Sequence, residues 1–247
     1  MMLDPKLSPA AAALAAVLAA CTAAAGTASP SPSPAPAAEM PAAGPASMAA
    51  QDSLAASLRR ATTPSSPKQA RFAWSLDEAG SRFSGSGVAR YVAPERFRLD
   101  LFGPRGETYA AAALVGEQPR VPPQVEERFK LPSPALLWAA VGVVRPPSGA
   151  RLTSATSQGG QVTLRYDLGS DGTLEYRAQG SRLASVRRVK SGGVQETVEL
   201  TRGADGALRS ARYRNTPAYR TLNLTLQQST DAASFPEDIW SPPGAAR

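Results

Sequence analysis

The residue types that carry most enzymatic chemistry are scarce in this chain. Its 247 residues include no histidine and one cysteine, Cys21. Without imidazole there is no Ser-His-Asp site and no His-based zinc site. Without a second cysteine there is no disulfide within the chain and no thiol nucleophile besides Cys21. What remains are adjacent carboxylates: Asp77/Glu78, Glu126/Glu127 and Glu237/Asp238. All three pairs stand in charged, loop-like stretches, where a solvated carboxylate is the ordinary case. Neither a phosphate loop nor a metal-ligand spacing accompanies them. The expectation is a protein that is not an enzyme, with no catalytic residue, no metal and no cofactor.

Cys21 has a context of its own. Residues 10–20 are an apolar run that ends in small side chains, Leu18-Ala19-Ala20-Cys21. The run suits the core of an export signal and falls short of the ~20 residues that span a bilayer. It resembles the lipobox of bacterial lipoproteins. That resemblance implies cleavage before Cys21, a diacylglyceryl thioether on its sulfur and acylation of the new amino group. Two or more acyl chains hold a protein firmly on a membrane. Thr22, not Asp, follows the cysteine, which in such lipoproteins implies release to the outer membrane. The expected layout is a signal peptide at 1–20, lipidation at Cys21, and a periplasm-facing protein anchored in the outer membrane.

Residues 21–51 then read as a linker. They are almost all Ala, Pro, Ser, Thr, Gly and Met, with Ser29-Pro30-Ser31-Pro32-Ser33-Pro34-Ala35-Pro36 at the centre. Repeated proline favours extended polyproline II, and the segment lacks the apolar bulk to fold. The first 51 residues hold only Asp4, Lys6 and Glu39, a net of −1, so residues 52–247 carry a net +8 of the chain's +7. Such a charge favours anionic surfaces. The basic residues are spread along strand-like segments, with Arg187, Arg188 and Lys190 the nearest thing to a cluster, so nucleic acid is not the expected partner.

The elements follow from periodicity. Asp52 can cap a helix over 53–60, with Leu54 and Leu58 on one face. Alternation in Arg96-Phe97-Arg98-Leu99-Asp100-Leu101, Val162/Leu164/Tyr166 and Leu222/Leu224/Leu226 predicts strands. Turns are expected at Pro94-Glu95, Pro104-Arg105-Gly106, Gly159-Gly160, Gly192-Gly193 and Asp205-Gly206. Ser133-Pro134 opens a second helix over 135–141, apolar on nearly every face through Leu136, Leu137, Trp138 and Val141. Such a helix is covered on most sides or faces a greasy cavity. The fold class is mainly β (α+β): a curled antiparallel sheet of about eleven strands, since flat sheets of that width are rare.

In layout, residues 52–243 resemble the LolA/LolB superfamily of lipoprotein carriers and acceptors. The likeness rests on the aromatic strand Arg71-Phe72-Ala73-Trp74-Ser75-Leu76, on Gly85-Ser86-Gly87, and on Pro94-Glu95-Arg96-Phe97-Arg98-Leu99-Asp100-Leu101. Pro134-Ala135-Leu136-Leu137-Trp138 resembles the lid helix, and Phe235-Pro236 to Trp240 the closing segment. The resemblance implies an incomplete β-barrel with a helical lid and an apolar cavity that takes acyl chains. Trp74, Phe97, Leu99, Leu101, Leu136, Leu137 and Trp138 are the candidate lipid-binding wall. The implied partners are lipid acyl chains or lipoproteins and a periplasmic carrier protein, with the chain itself a monomer. Acceptor members carry an exposed apolar residue at the hairpin tip after the "R-x-D" strand. Here that membrane-facing tip is Pro104-Arg105-Gly106, and Arg105 departs from the pattern. The alternative is a non-catalytic structural or protein-interaction lipoprotein of the envelope, docking through its edge strands.

Overall fold

The computed structural model describes residues 47–128 and 131–245. The signal segment 1–20, Cys21 and residues 22–46 of the expected linker lie outside the described residues.

One antiparallel sheet of twelve strands makes up the domain. In chain order they are β1 (Lys68–Glu78), β2 (Ser81–Val92), β3 (Arg96–Phe102), β4 (Thr108–Val115), β5 (Gln118–Arg120), β6 (Arg151–Gln158), β7 (Gln161–Asp167), β8 (Thr173–Gln179), β9 (Arg182–Lys190), β10 (Gly193–Arg202), β11 (Leu208–Asn215) and β12 (Arg220–Asp231). Helix α1 (Met48–Thr62) precedes them, and α2 (Pro123–Arg128) and α3 (Pro134–Ala140) lie between β5 and β6. In space the order is β5-β4-β3-β2-β1-β12-β11-β10-β9-β8-β7-β6, with β5 and β6 as free edges. The chain therefore enters at the middle, meanders out to β5, crosses to the opposite edge, and meanders back to lay β12 beside β1. Lys68 pairs with Asp231 at one end of that central pair and Glu78 with Arg220 at the other.

The topology dictates where the lid lies. Residues 121–150 must travel from one edge of the sheet to the other, so they pass over a face. They carry Leu136, Trp138, Val143 and Val144, all buried, so they take the apolar one. Trp138 meets Phe97 of β3 (ring centroids 5.3 Å apart) and Tyr91 of β2 (6.1 Å) edge-on. The same helix also packs on β9, β10 and β11. In a flat sheet β3 and β9 would stand ~29 Å apart, at ~4.8 Å per strand, whereas a seven-residue helix is only ~10 Å long. The sheet curls round α3, unclosed.

Strand alternation builds the inner wall: β1 buries Ala70, Phe72, Trp74 and Leu76, β3 buries Phe97, Leu99 and Leu101, and β8 buries Leu174, Tyr176 and Ala178. The all-buried run Ala110-Ala111-Ala112-Ala113-Leu114 of β4 breaks this period. Register explains it. Ala110, Ala112 and Leu114 stand opposite Leu101, Leu99 and Phe97 on the inner face, while Ala111 and Ala113 stand opposite Asp100 and Arg98 on the outer one. There the closing turn Glu237–Trp240 packs on β3 and β4. Asp100 is buried and accepts from Arg98 at 2.7 Å and Arg90 at 2.9 Å. Arg98 also donates to the Ile239 carbonyl at 2.5 Å. The small side chains let the closing segment lie flat on the sheet.

The Gly85-Ser86-Gly87 motif has a steric cause. A Cβ on Gly87 would stand 2.4 Å from the Phe72 ring, and one on Gly85 1.9 Å from the Phe102 carbonyl. The Trp74 indole N–H donates to that carbonyl (3.1 Å) and to Ser86 O (2.9 Å).

All eleven expected strands are present, several of them longer than alternation alone indicates. Three expectations need correction. The helix expected from Asp52 starts at Met48, with Ser47 as the cap accepting from Ala50 N at 3.3 Å. Met48–Gln51, assigned to the linker, are good helix formers and continue the helix backward. The twelfth strand, β5, escapes detection because it is three residues long and holds Pro119, tolerated only at a sheet edge. Helix α2 is an element that periodicity does not announce: Pro123 sits at its first position, where no N–H is needed.

Candidate functional site

Two connected spaces lie beneath and beside α3. The larger, about 490 Å³, is walled by β3, β4 and β5 on one side and by the α2–α3 segment on the other. Its lining is apolar (Phe97, Leu99, Ala112, Leu114, Val121, Leu131 and Leu137 among others), with Glu117 and Glu126 as the charged members among the described residues. The smaller, about 40 Å³, lies directly under α3, against Phe72, Ala89, Leu136, Ala140, Val141, Tyr213 and Leu222. Phe97, Leu99, Pro132 and Leu137 line both. Leu137 is a half-buried member of α3, flanked by the buried Leu136 and Trp138. Its side chain therefore stands where the two spaces meet.

The local sequence accounts for the volume. Alanines at 110 and 112 leave the floor of β4 low where Leu99 and Leu101 stand tall beside it. Pro132 and Pro134 hold the entry to α3 extended, and Ser133 begins the helix without a side-chain capping bond. Glu117, in the β4–β5 turn, fastens the other end of the crossing segment: its carboxylate accepts from the Ser148 N–H and, at 2.6 Å, from the Ser148 hydroxyl. The Ser148 hydroxyl above all, with the Ser148 N–H and Arg145, holds the Glu117 carboxyl below the usual carboxylate range against the opposing effect of burial. Arg145 in turn lies 5.8 Å over the Trp138 ring.

Of the residues expected at the wall, Phe97, Leu99, Leu136 and Leu137 line these spaces. Trp74, Leu101 and Trp138 are buried and line neither. Trp74 sits toward the β1–β2 turn, 4.9 Å from the Tyr109 ring, and Trp138 is wedged between the lid and β2–β3. Sequence reading missed Pro132, Val121, Leu131 and Tyr213. The first three lie in a segment without periodicity. The run of small side chains at Ala110–Ala113 is the signal that marks the low wall, through Ala112 and Ala113.

The tip Pro104-Arg105-Gly106 is exposed, in a turn closed by Gly103 N–H to Glu107 O (2.8 Å) and Gly106 N–H to Gly103 O (3.0 Å). The β9–β10 and β11–β12 turns lie at the same end of the sheet and carry Val194 and Tyr219, the latter 82% exposed. The carboxylate pairs do not assemble a site: Glu78 is bound to Arg220 and Glu237 to Arg96, while Glu126 stands at the cavity. Among the described residues no group of metal-ligating side chains comes together, and no helix is long and apolar enough to cross a membrane.

No protein-family model and no curated protein matches the chain. Solved structures do. A LolA superfamily protein from Nitrosomonas europaea superposes with a TM-score of 0.54 at 10% identity, over 77% of this chain and 97% of that one. A domain assigned as an outer membrane lipoprotein-sorting protein, from Vibrio parahaemolyticus, gives 0.48 at 12% identity, over 76% and 94%. A DUF1329 family protein from Desulfovibrio piger gives 0.46 at 7% identity, over 78% and 97%. The first match shows that the unclosed sheet with its crossing helices is a LolA-like fold.

Proposed function

We propose that this chain is an envelope lipoprotein that holds an acyl chain of a lipid or of a lipoprotein in the space beside and beneath α3, in lipid or lipoprotein transport. The observation that carries the reading is the 490 Å³ apolar space continued under the lid through Phe97, Leu99, Pro132 and Leu137. That volume lies within the usual range for small-molecule sites. A methylene is close to a water in size, about 30 Å³, so the space suits one long chain. Burial of such a chain contributes at about 25 cal/mol per Å² and needs no covalent chemistry. In this reading Cys21 is the lipidated residue, residues 22–46 tether the domain to the outer membrane from the periplasmic side, and the tip at Arg105 meets lipid headgroups without inserting. The likeness in fold to a LolA superfamily protein supports the carrier reading.

A dansyl-labelled fatty acid tests it. The protein should bind the probe saturably, and phospholipid should displace it. Leu137→Arg should weaken binding at least about tenfold while the β-rich circular dichroism persists, because Leu137 is half-buried and an arginine there can reach solvent. A wild type that binds no probe would end the reading. Loss of signal at an engineered Cys21→Ser in metabolic labelling with a fatty-acid analogue tests the anchor separately; equal labelling of both forms would remove it.

One observation favours a second reading, a module that docks partners on its sheet edge. β6 is an edge strand with mostly exposed polar side chains, and although Gln51 of α1 takes its Ala155 N–H, the exposed end at Thr156–Gln158 can accept a strand.

A further inference from the structure

The described residues include four buried charges, Asp100, Glu175, Glu196 and Arg220, and each pairs with an opposite charge. Arg202, half-buried at the end of β10, is handled differently. Its Nη1 donates to Gly206 O at 3.2 Å and its Nη2 to Leu183 O at 3.4 Å, while its Nε is sealed from water with no acceptor. Among the described residues no ion pair joins it to a carboxylate.

Its neighbour is a second cation. The Arg182 guanidinium fills the place a Cβ on Gly206 would take, 2.3 Å from Nη1 and 2.6 Å from Nη2. Two guanidiniums thus pack on one glycine, Arg182 over its Cα and Arg202 on its carbonyl. Arg182 also makes no ion pair among the described residues. The acid on the same turn, Asp205, is engaged by Arg209 at 2.7 Å and by the Ala207 N–H at 3.0 Å. Burial, and then the charge of Arg182, pull the Arg202 guanidinium below its usual range, though an arginine stays protonated at neutral pH.

Two like charges held side by side, neither paired with a carboxylate among the described residues, call for an anion. We propose that Arg182 and Arg202, on the turn at residues 203–207, form a binding site for a phosphate group, free or esterified. A carboxylate has two oxygens and satisfies one guanidinium fork. A phosphate offers three or four, arranged tetrahedrally, and can meet two forks at once. The site also lies beside the lid: Arg202 Nη2 comes within 3.1 Å of where a Cβ on Gly142 would stand, one residue past Val141 in the wall of the smaller space. A phosphate ester bound here leaves its chain next to that space, whereas a free phosphate needs no such chain.

Calorimetric titration of the full chain distinguishes these. The probes are inorganic phosphate, a short-chain phosphatidic acid below its micelle concentration, and the matching phosphocholine lipid. The variants are Arg182→Ala, exposed and at a strand end, and Arg214→Ala, an exposed arginine of β11 that removes the same charge elsewhere. Phosphate or phosphatidic acid should bind saturably, about tenfold or more weakly in Arg182→Ala, and unchanged in Arg214→Ala. A response to inorganic phosphate assigns the free anion; a response to phosphatidic acid alone assigns the headgroup. No saturable binding of either, or equal losses in both variants, overturns the site. Equal binding of both lipids with no dependence on Arg182 also overturns it, and leaves the acyl-chain reading standing.

Discussion

Gly87 is bare because the Phe72 ring lies across it, and a methyl there would meet that ring at 2.4 Å. Gly87→Ala should cost about 1–3 kcal/mol through overpacking, read as a lower urea midpoint at unchanged slope. An unchanged midpoint would show that Phe72 has an alternative seat. Asp100 sits between Arg90 and Arg98 and is buried. Asp100→Ala should leave both guanidiniums uncompensated and release the closing segment, at a cost on the order of 2–4 kcal/mol, below the range for a fully buried pair because Arg90 is partly exposed. The tyrosines set an alkaline limit. Burial, and then the charge of Asp231, push the Tyr91 phenol up to about 12, against an ordinary value near 10. Burial also raises Tyr166, Tyr176 and Tyr213. The unfolded chain releases these protons from about pH 10 while the folded one keeps them. Stability should therefore be level below about pH 10 and fall between about 10 and 12, by up to ~1.4 kcal/mol per pH unit for each such tyrosine. Tyr91→Phe should shallow the fall in urea titrations at stepped pH; an identical slope would remove Tyr91 from the account. At this scale the Gly-x-Gly and Arg-x-Asp motifs were visible in the sequence, but their causes were not. Gly87 answers to Phe72 on the neighbouring strand, and the Arg98–Asp100 pair answers to Arg90 of β2 and the Ile239 carbonyl, partners that no local window contains.

Element by element, legibility tracked whether one face or two are covered. β3 and β8 alternate and could be read directly; β4 could be read as a strand but not placed, since the closing segment buries its second face. The lid helix was plain from Ser133-Pro134 and its apolar run. What it would cover was not, because that depends on which edges the crossing segment joins. Helix α1 shows the reverse, a cap at Ser47 overlooked for the more conspicuous Asp52. It does more than pack: Gln51 Oε1 accepts from the Ala155 N–H of β6 at 3.0 Å, blunting the free edge, while Ala55 and Leu58 enter the core and Thr62 Oγ1 accepts from Val144 N–H at 3.1 Å. A chain beginning at Pro45 keeps that helix and its cap and should melt with the full protein. One beginning at Pro64 should melt about 10 °C lower and aggregate through β6. Equal melting of the two would mean α1 contributes nothing to the domain.

In the molecule as a whole, the meanders on either side were foreseeable from turn spacing, and the join between them was not. Nothing local in residues 68–78 says that 220–231 will lie beside them, yet that one pairing closes the centre of the sheet and sets the path of the crossing segment. It also fixes how the protein responds to force. Lys68 and Asp231 are partners at the same end of β1 and β12, so tension drawn between the two termini of the sheet loads the ladder one bond at a time, from that end inward. A tethered copy held from its N-terminal side and pulled from its C-terminal side would part along its middle like a zipper, at low force, with both hairpin meanders left intact on either side of the tear.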